Sequence, residues 1–321
     1  MVVERITETM AELGGRSVLS LKEWTPSEIK SVLMTASWMK ANPKVAQIRY
    51  ALSGKSVAMI FELPSTRTRV SFQVAIQSLG AAPVILDWDE SQLGRGEPIR
   101  DTARVMSRYV DGIVIRCRSH ETIQAFKRYA TVPVFNALTN KAHPFQALAD
   151  VLTVWQRFGR ITGVKFAYLG DGQNNMAHSY LTVGAKLGMH VSVAAPKALQ
   201  PSDEVIDWAR QEALVAGGSV TVTESPEEAA LGADVIATDV FTSMGDFGDQ
   251  EAKRQILMPY QVNGERMQEA KPEAIFLHCL PAHRGEEVTE DVLEGPCSAV
   301  WDQAENRLFV QKAALLQILG D

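Results

Sequence analysis

The chain has 321 residues, 46% hydrophobic and 22% charged, with 38 acidic against 32 basic side chains and a net charge of −6. That balance argues against a protein that tracks nucleic acid, which would be basic, and no uncharged apolar run approaches the ~18 residues a membrane helix needs. At this length about three quarters of the unfolded surface is buried on folding, which is enough for two domains.

In chain order, a short apolar run, a polar loop and an amphipathic helical stretch recur. Ser56–Phe61 (SVAMIF) reads as a buried strand and 63–68 as a loop; Phe72, Ala75, Ile76 and Leu79 then fall on one helical face at i, i+3, i+4, i+7. Residues 84–86, 113–115 and 132–135 read as further strands, with Ile123, Phe126 and Tyr129 on a helix between the last two. A second series follows: a strand at 164–169, a helix at 176–187, and strands at His190–Ala194, 220–222, 235–237 and 274–277. Strands separated by helices predict parallel sheets covered on both faces. The expected class is α/β, with two doubly wound domains, each a central parallel sheet flanked by helices, joined by interdomain helices. The first spans residues 1–148 and the second 149–304; a last helical stretch, 305–321, does not reveal by its pattern where it packs.

In such sheets ligands bind beyond the carboxyl ends of the strands. The unusual polar residues gather there: Ser65-Thr66-Arg67-Thr68, Arg116, His143 with Gln146, Asn174-Asn175, Asp239 to Met244, and His278-Cys279-Leu280-Pro281. Six loops reaching strand ends predict a site between two domains. The loop 64–68 joins a strand to a helix, so its amides face an anion at a positive helix end, and Arg67 adds a planar fork for phosphate oxygens. It lacks the Walker pattern. The plain alternative is a Ser-capped helix start. His143-Pro144 also opens a helix, and a lone histidine there is more often a cap than a catalyst. Asp150 in the same helix reads as structural.

Gly170–Asn175 follows a strand and precedes a helix, but it breaks GxGxxG at Asn175, and the next strand ends without an acid for a ribose, so a nicotinamide cofactor is discounted. Asp239 could hold an ammonium or simply cap a turn, and the polar stretch 245–254, with two glycines, reads as a mobile flap. Cys117, Cys279 and Cys297 are odd in number, far apart and form no CxxC, so neither a disulfide framework nor a cysteine-rich zinc site is expected, and His278, Cys279 and His283 lack zinc-ligand spacing. The N-terminal stretch carries acids and no signal-peptide core, which points to the cytoplasm.

The segments FELPSTRTRVSF, SQLGRGEPIRDTARV, NALTNKAHPFQALAD, LGDGQNNMAHS, TDVFTSMGD, FLHCLPAHRGEEV and DQAENR together resemble the ornithine carbamoyltransferases, from about residue 20 onward. STRT and HPxQ suit the wider aspartate/ornithine family; DxxxSMG with HCLP is specific to the ornithine branch. Phe241 stands where many relatives carry tryptophan. The resemblance implies carbamoyl transfer from carbamoyl phosphate to the δ-amine of L-ornithine, giving L-citrulline and phosphate, without metal or organic cofactor. It implies that Ser65, Thr66, Arg67 and Thr68 hold phosphate and that Arg116, His143, Gln146 and Arg307 reach the carbamoyl group. Gln92 would lie in a loop that reaches a neighbouring subunit. Asn175, Asp239, Ser243, Met244, Cys279 and Leu280 would hold ornithine, with Arg116, His143, Asp239 and Cys279 catalytic. A homotrimer or a multiple of trimers would be the assembly, and the last helix would return to the first domain. The alternatives are another acceptor, such as putrescine or aspartate, or a non-catalytic metabolite-binding protein; Ser243-Met244-Gly245 argues against the former and the polar set against the latter.

Overall fold

The computed structural model describes residues 13–43, 46–242 and 249–320. The chain divides into two units: one runs up to Ala149 and resumes at Asn306, and the other runs from Asp150 to Glu305.

In the first unit four parallel strands are ordered β2-β1-β3-β4, with β1 Ser56–Phe61, β2 Ala82–Asp87, β3 Gly112–Arg116 and β4 Val134–Leu138. The central strands β1 and β3 are almost wholly buried and correspondingly apolar, whereas the edge strand β2 is half open, with Val84 exposed. After β1 the chain crosses to β2 on one side, then returns to β3 on the other. The loops leaving β1 and β3 therefore diverge, which opens a crevice at their carboxyl ends. Phe61 pairs with Arg116 across that point, and the Glu62 amide donates to the Arg116 carbonyl at 2.9 Å.

Helix α1, Pro26–Ala41, begins with a complete capping box between Thr25 and Glu28. Against it lies the end of the last helix, Val300–Leu319: Gln317 donates to Ser31 and Thr35 at 2.9 and 2.8 Å, and Lys40 donates to Asn306 at 2.8 Å.

The second unit holds five parallel strands ordered β7-β6-β5-β8-β9: β5 Lys165–Leu169, β6 His190–Ala194, β7 Ser219–Thr223, β8 Val235–Thr238 and β9 Ile275–His278. Its direction change falls between β5 and β8, so the loops after Leu169, Thr238 and His278 open at neighbouring strand ends. The helix Asn175–Lys186 packs closely on this sheet, because a Cβ at Gly184 would lie 2.3 Å from Val191 Cγ2.

The strands match the predicted ones to within a few residues, and the α/β class with two parallel-sheet domains holds. The last helix starts at Val300, five residues before the predicted stretch, and the end of the polar stretch 245–254 belongs to a helix, Gln250–Leu257. Cys117, Cys279 and Cys297 carry free thiols. Among the described residues no helix is long and apolar enough to cross a membrane.

Candidate active site

In the first unit, Ser65 is the N-cap of the helix Thr66–Ser78 and its hydroxyl accepts from the Thr68 amide at 3.2 Å. The plain reading of this loop is therefore true as geometry, and it leaves the helix end facing the same crevice. Thr68 is fully buried, and its Oγ1 accepts from Arg116 Nη1 at 3.3 Å and Arg307 Nη2 at 2.7 Å. Two buried guanidiniums, from the end of β3 and from the last helix, are thus pinned on one hydroxyl at the helix start. His143 stands immediately before the helix Pro144–Phe158, and its carbonyl accepts from the Gln146 amide at 3.1 Å; both residues are buried. Burial pushes the His143 pKa well below the usual imidazole value, and Arg307, Arg116 and Arg67 push it further in the same direction. The ring is neutral at physiological pH and offers one N–H donor.

This unit gathers Ser65, Thr66, Arg67, Thr68, Arg116, His143, Gln146 and Arg307 around strand ends and helix starts. Such an arrangement suits a phosphate and a polarised carbonyl. Gln92 does not join them. It lines a separate cavity of about 230 Å³ with Ile60, Leu86, Leu93 and Met106.

In the second unit, Asp239 follows β8 and Cys279 follows β9, so neighbouring strands bring them together: the Cys279 thiol donates to Asp239 Oδ1 at 3.0 Å. The Val240 amide donates to the same oxygen at 2.8 Å, and Asn174 Nδ2 donates to Oδ2 at 3.3 Å. Burial raises the Asp239 pKa above the ordinary carboxylate value, although His278, Cys279 and Val240 oppose the rise. A carboxylate with a raised pKa accepts a proton more readily than an exposed one.

The paired asparagines divide their work. Asn174 caps the helix Asn175–Lys186 and donates to the Tyr168 hydroxyl at 2.7 Å; Asn175 opens the helix, half-buried. His278 is buried between two partners: its Nε2 faces Glu287 Oε1 at 3.1 Å and its Nδ1 accepts from the Leu280 amide at 2.8 Å. Leu280 itself is held at φ +56°, in the left-handed region. Ser243 and Met244 lie outside the described residues.

Among the described residues, two groups bring possible ligand atoms within 4.8 Å of one another, Asp239 with His278 and Cys279, and His283 with Glu286 and Glu287. The structure thus splits the His278, Cys279 and His283 trio between them. In the first group the thiol and imidazole are engaged with carboxylates, and in the second Glu286 is paired to Arg254 at 3.0 Å.

Tyr168, Asn174 as a support for Asp239, and Glu287 carry no signal in the sequence. Tyr168 reads there as any strand aromatic. Glu287 sits nine residues beyond His278, a spacing that carries no signal until the loop folds.

Comparison with known proteins places both units. A family model described as the aspartate/ornithine carbamoyltransferase carbamoyl-P binding domain matches residues 16–156, and one described as the Asp/Orn binding domain matches 162–318. An ornithine carbamoyltransferase of Pyrococcus abyssi is 50% identical over 311 residues, covering 97% of this chain and 98% of the relative. The anabolic ornithine carbamoyltransferase of Pyrococcus furiosus matches at the same identity and coverage. The solved structure of the Pyrococcus furiosus ornithine carbamoyltransferase superposes with a TM-score of 0.92 at 50% identity, covering 96% of this chain and 98% of that one.

Proposed function

The chain belongs to the aspartate/ornithine carbamoyltransferase family, and from that premise we propose how its residues carry out the reaction. The protein transfers the carbamoyl group of carbamoyl phosphate to the δ-amine of L-ornithine, giving L-citrulline and phosphate, a step of arginine biosynthesis. The single observation that carries the assignment is the match to ornithine carbamoyltransferases over nearly the whole chain.

The first domain, residues 1–148 with 305–321, binds carbamoyl phosphate, and the second, 149–304, binds ornithine. Ser65, Thr66, Arg67 and Thr68 hold the phosphate at the helix start, while Arg116, His143, Gln146 and Arg307 reach the carbamoyl oxygen. Attack by the amine turns that oxygen into an oxyanion. Buried guanidiniums already oriented on Thr68 stabilise it without reorganising, and neutral His143 adds a donor without adding a positive charge to a crowd of three arginines. Arg67 and the helix amides then stabilise the departing phosphate.

Ornithine arrives mostly as the ammonium form. Its δ-amine pKa lies near 10.4, so freeing the lone pair at pH 7 costs about 4–5 kcal/mol at about 1.36 kcal/mol per pKa unit. Asp239 with Cys279 takes up that proton or orients the amine, and the raised Asp239 pKa supports its role as acceptor. Asn175, Ser243, Met244 and Leu280 complete the ornithine contacts.

The enzyme works as a homotrimer or a multiple of trimers in the cytoplasm. Gln92 would reach the neighbouring copy's site; in its own copy it lines a cavity with Ile60, Leu86, Leu93 and Met106. Three free thiols suit a reducing compartment. Purified protein is expected to form citrulline saturably from carbamoyl phosphate and ornithine, and to fail with putrescine or aspartate. Equal turnover of either alternative acceptor would overturn the acceptor assignment.

A further inference from the structure

The loop that carries Cys279 is held from beneath by a chain of buried polar groups that play no part in the chemistry above. The Tyr180 hydroxyl donates to Asp150 Oδ2 at 2.6 Å, Gln303 Nε2 donates to Asp150 Oδ1 at 2.6 Å, and Gln303 Oε1 accepts from the His278 amide at 3.0 Å. Asp150 and Gln303 are fully buried and Tyr180 nearly so. All belong to the second unit, Asp150 at its beginning and Gln303 close to its end.

The direction of each hydrogen bond is dictated by the one before it. Asp150 accepts at both of its carboxylate oxygens, so Gln303 turns its NH2 toward Asp150 and therefore its carbonyl oxygen toward His278. That oxygen receives the backbone N–H one residue before Cys279. On the other side of the same residue, the His278 ring accepts from the Leu280 amide. The backbone on both sides of Cys279 is thus tied through His278, and Cys279 in turn reaches Asp239.

We infer that Asp150 and Gln303 are positioning residues for ornithine use: the Asp150 carboxylate sets the orientation of the Gln303 amide, which sets the backbone at His278 and with it the Cys279 thiol. This rests on the carbamoyltransferase reading above. Neither residue touches the substrates; their effect is confined to where Cys279 and Leu280 stand.

A polarity exchange tests it. In Gln303→Glu the side chain still accepts from His278 but turns a second carboxylate oxygen toward Asp150, and two buried carboxylates cannot share that contact without a proton. The combined Asp150→Asn/Gln303→Glu variant restores each of the three donor–acceptor pairs named above. The amide at 150 donates to the carboxylate at 303 and still accepts from Tyr180, so donor and acceptor have only exchanged sides.

Wild-type protein is assayed first, and absence of citrulline there refutes the functional reading rather than this inference. Given wild-type activity, Gln303→Glu is expected to lower kcat/KM for ornithine on the order of 10- to 100-fold, the scale of one badly satisfied buried group. The KM for carbamoyl phosphate should stay within about twofold, a split that general loss of structure would not produce. The double variant is expected to recover to within about fivefold of wild type. A double variant as impaired as, or worse than, Gln303→Glu overturns the inference. So does parallel loss of carbamoyl phosphate use in Gln303→Glu, or a double variant that does not fold. If Gln303→Glu alone is insoluble, a soluble double variant with near-native ornithine kinetics supports the relay and one with lost ornithine kinetics overturns it.

Discussion

Arg307 donates to Thr68 Oγ1 at 2.7 Å although the two residues are 239 positions apart in the chain. The contact ties the closing helix to the first turn of the helix Thr66–Ser78, and Arg116 reaches the same hydroxyl from β3. Arg307→Ala removes one of the two guanidiniums on Thr68 that are proposed to reach the carbamoyl group. Steady-state kinetics should show kcat/KM for carbamoyl phosphate reduced about 10- to 1,000-fold, the range for losing a charge-assisted donor from an oxyanion site. An unchanged value would remove Arg307 from the donor site.

Cys279→Ala keeps the backbone of the HCLP loop but deletes the thiol that donates to Asp239. Ornithine kinetics and their pH profile should change strongly, by about 10- to 100-fold at pH 7, whereas carbamoyl phosphate KM should move little. If both substrates behave as in the wild type, the thiol is an inert packing group.

The neutral state of His143 has a consequence for acid stability. Its pKa in the folded protein is held well below the unfolded value near 6.5 by burial and three arginines. As pH falls through about 6.5 the unfolded chain takes up a proton that the folded chain refuses, so stability drops with acidification and is complete above that value. His143→Gln should flatten this part of the pH–Tm curve below about pH 6.5. Identical slopes for variant and wild type would show that the folded imidazole titrates normally.

Gly184→Ala provides a stability measurement away from the chemistry. The added methyl would meet Val191 Cγ2 at 2.3 Å, so helix and sheet must part or the valine must turn. A loss of about 1–3 kcal/mol in denaturant unfolding is expected, with catalytic constants preserved. A variant of full stability would mean that the valine yields freely.

Much of this molecule is legible before folding, and the exceptions share a cause. The strands are buried on both faces, so their apolar runs stand out, as SVAMIF does. Arg116 and His143 are conspicuous because a strand end or a helix start precedes or follows them. The capping box of Thr25 and Glu28, followed by apolar Ile29, Val32, Leu33 and Ala36, could have announced α1, but it lies outside the strand–helix alternation. Asp150 reads as structural in the sequence; only the fold shows Gln303 and Tyr180 converging on it. Glu287 and Asn174 are in the same position: one supports a histidine nine residues back across a folded loop, the other an aspartate 65 residues on, and neither spacing encodes its partner. The asparagine pair shows the limit most clearly, since two identical neighbours take different tasks according to which one the helix uses as its cap.

In both sheets, chemistry-bearing side chains hang from separate strands whose order reverses beside them. Each sheet's interior can stay intact while its tips are rewritten. Under the proposed assignment, recognition of the amine becomes a local edit to three turns after β5, β8 and β9, and a redesign for a new acceptor can begin there while leaving the proposed grip on the acyl donor, encoded in the other sheet, untouched.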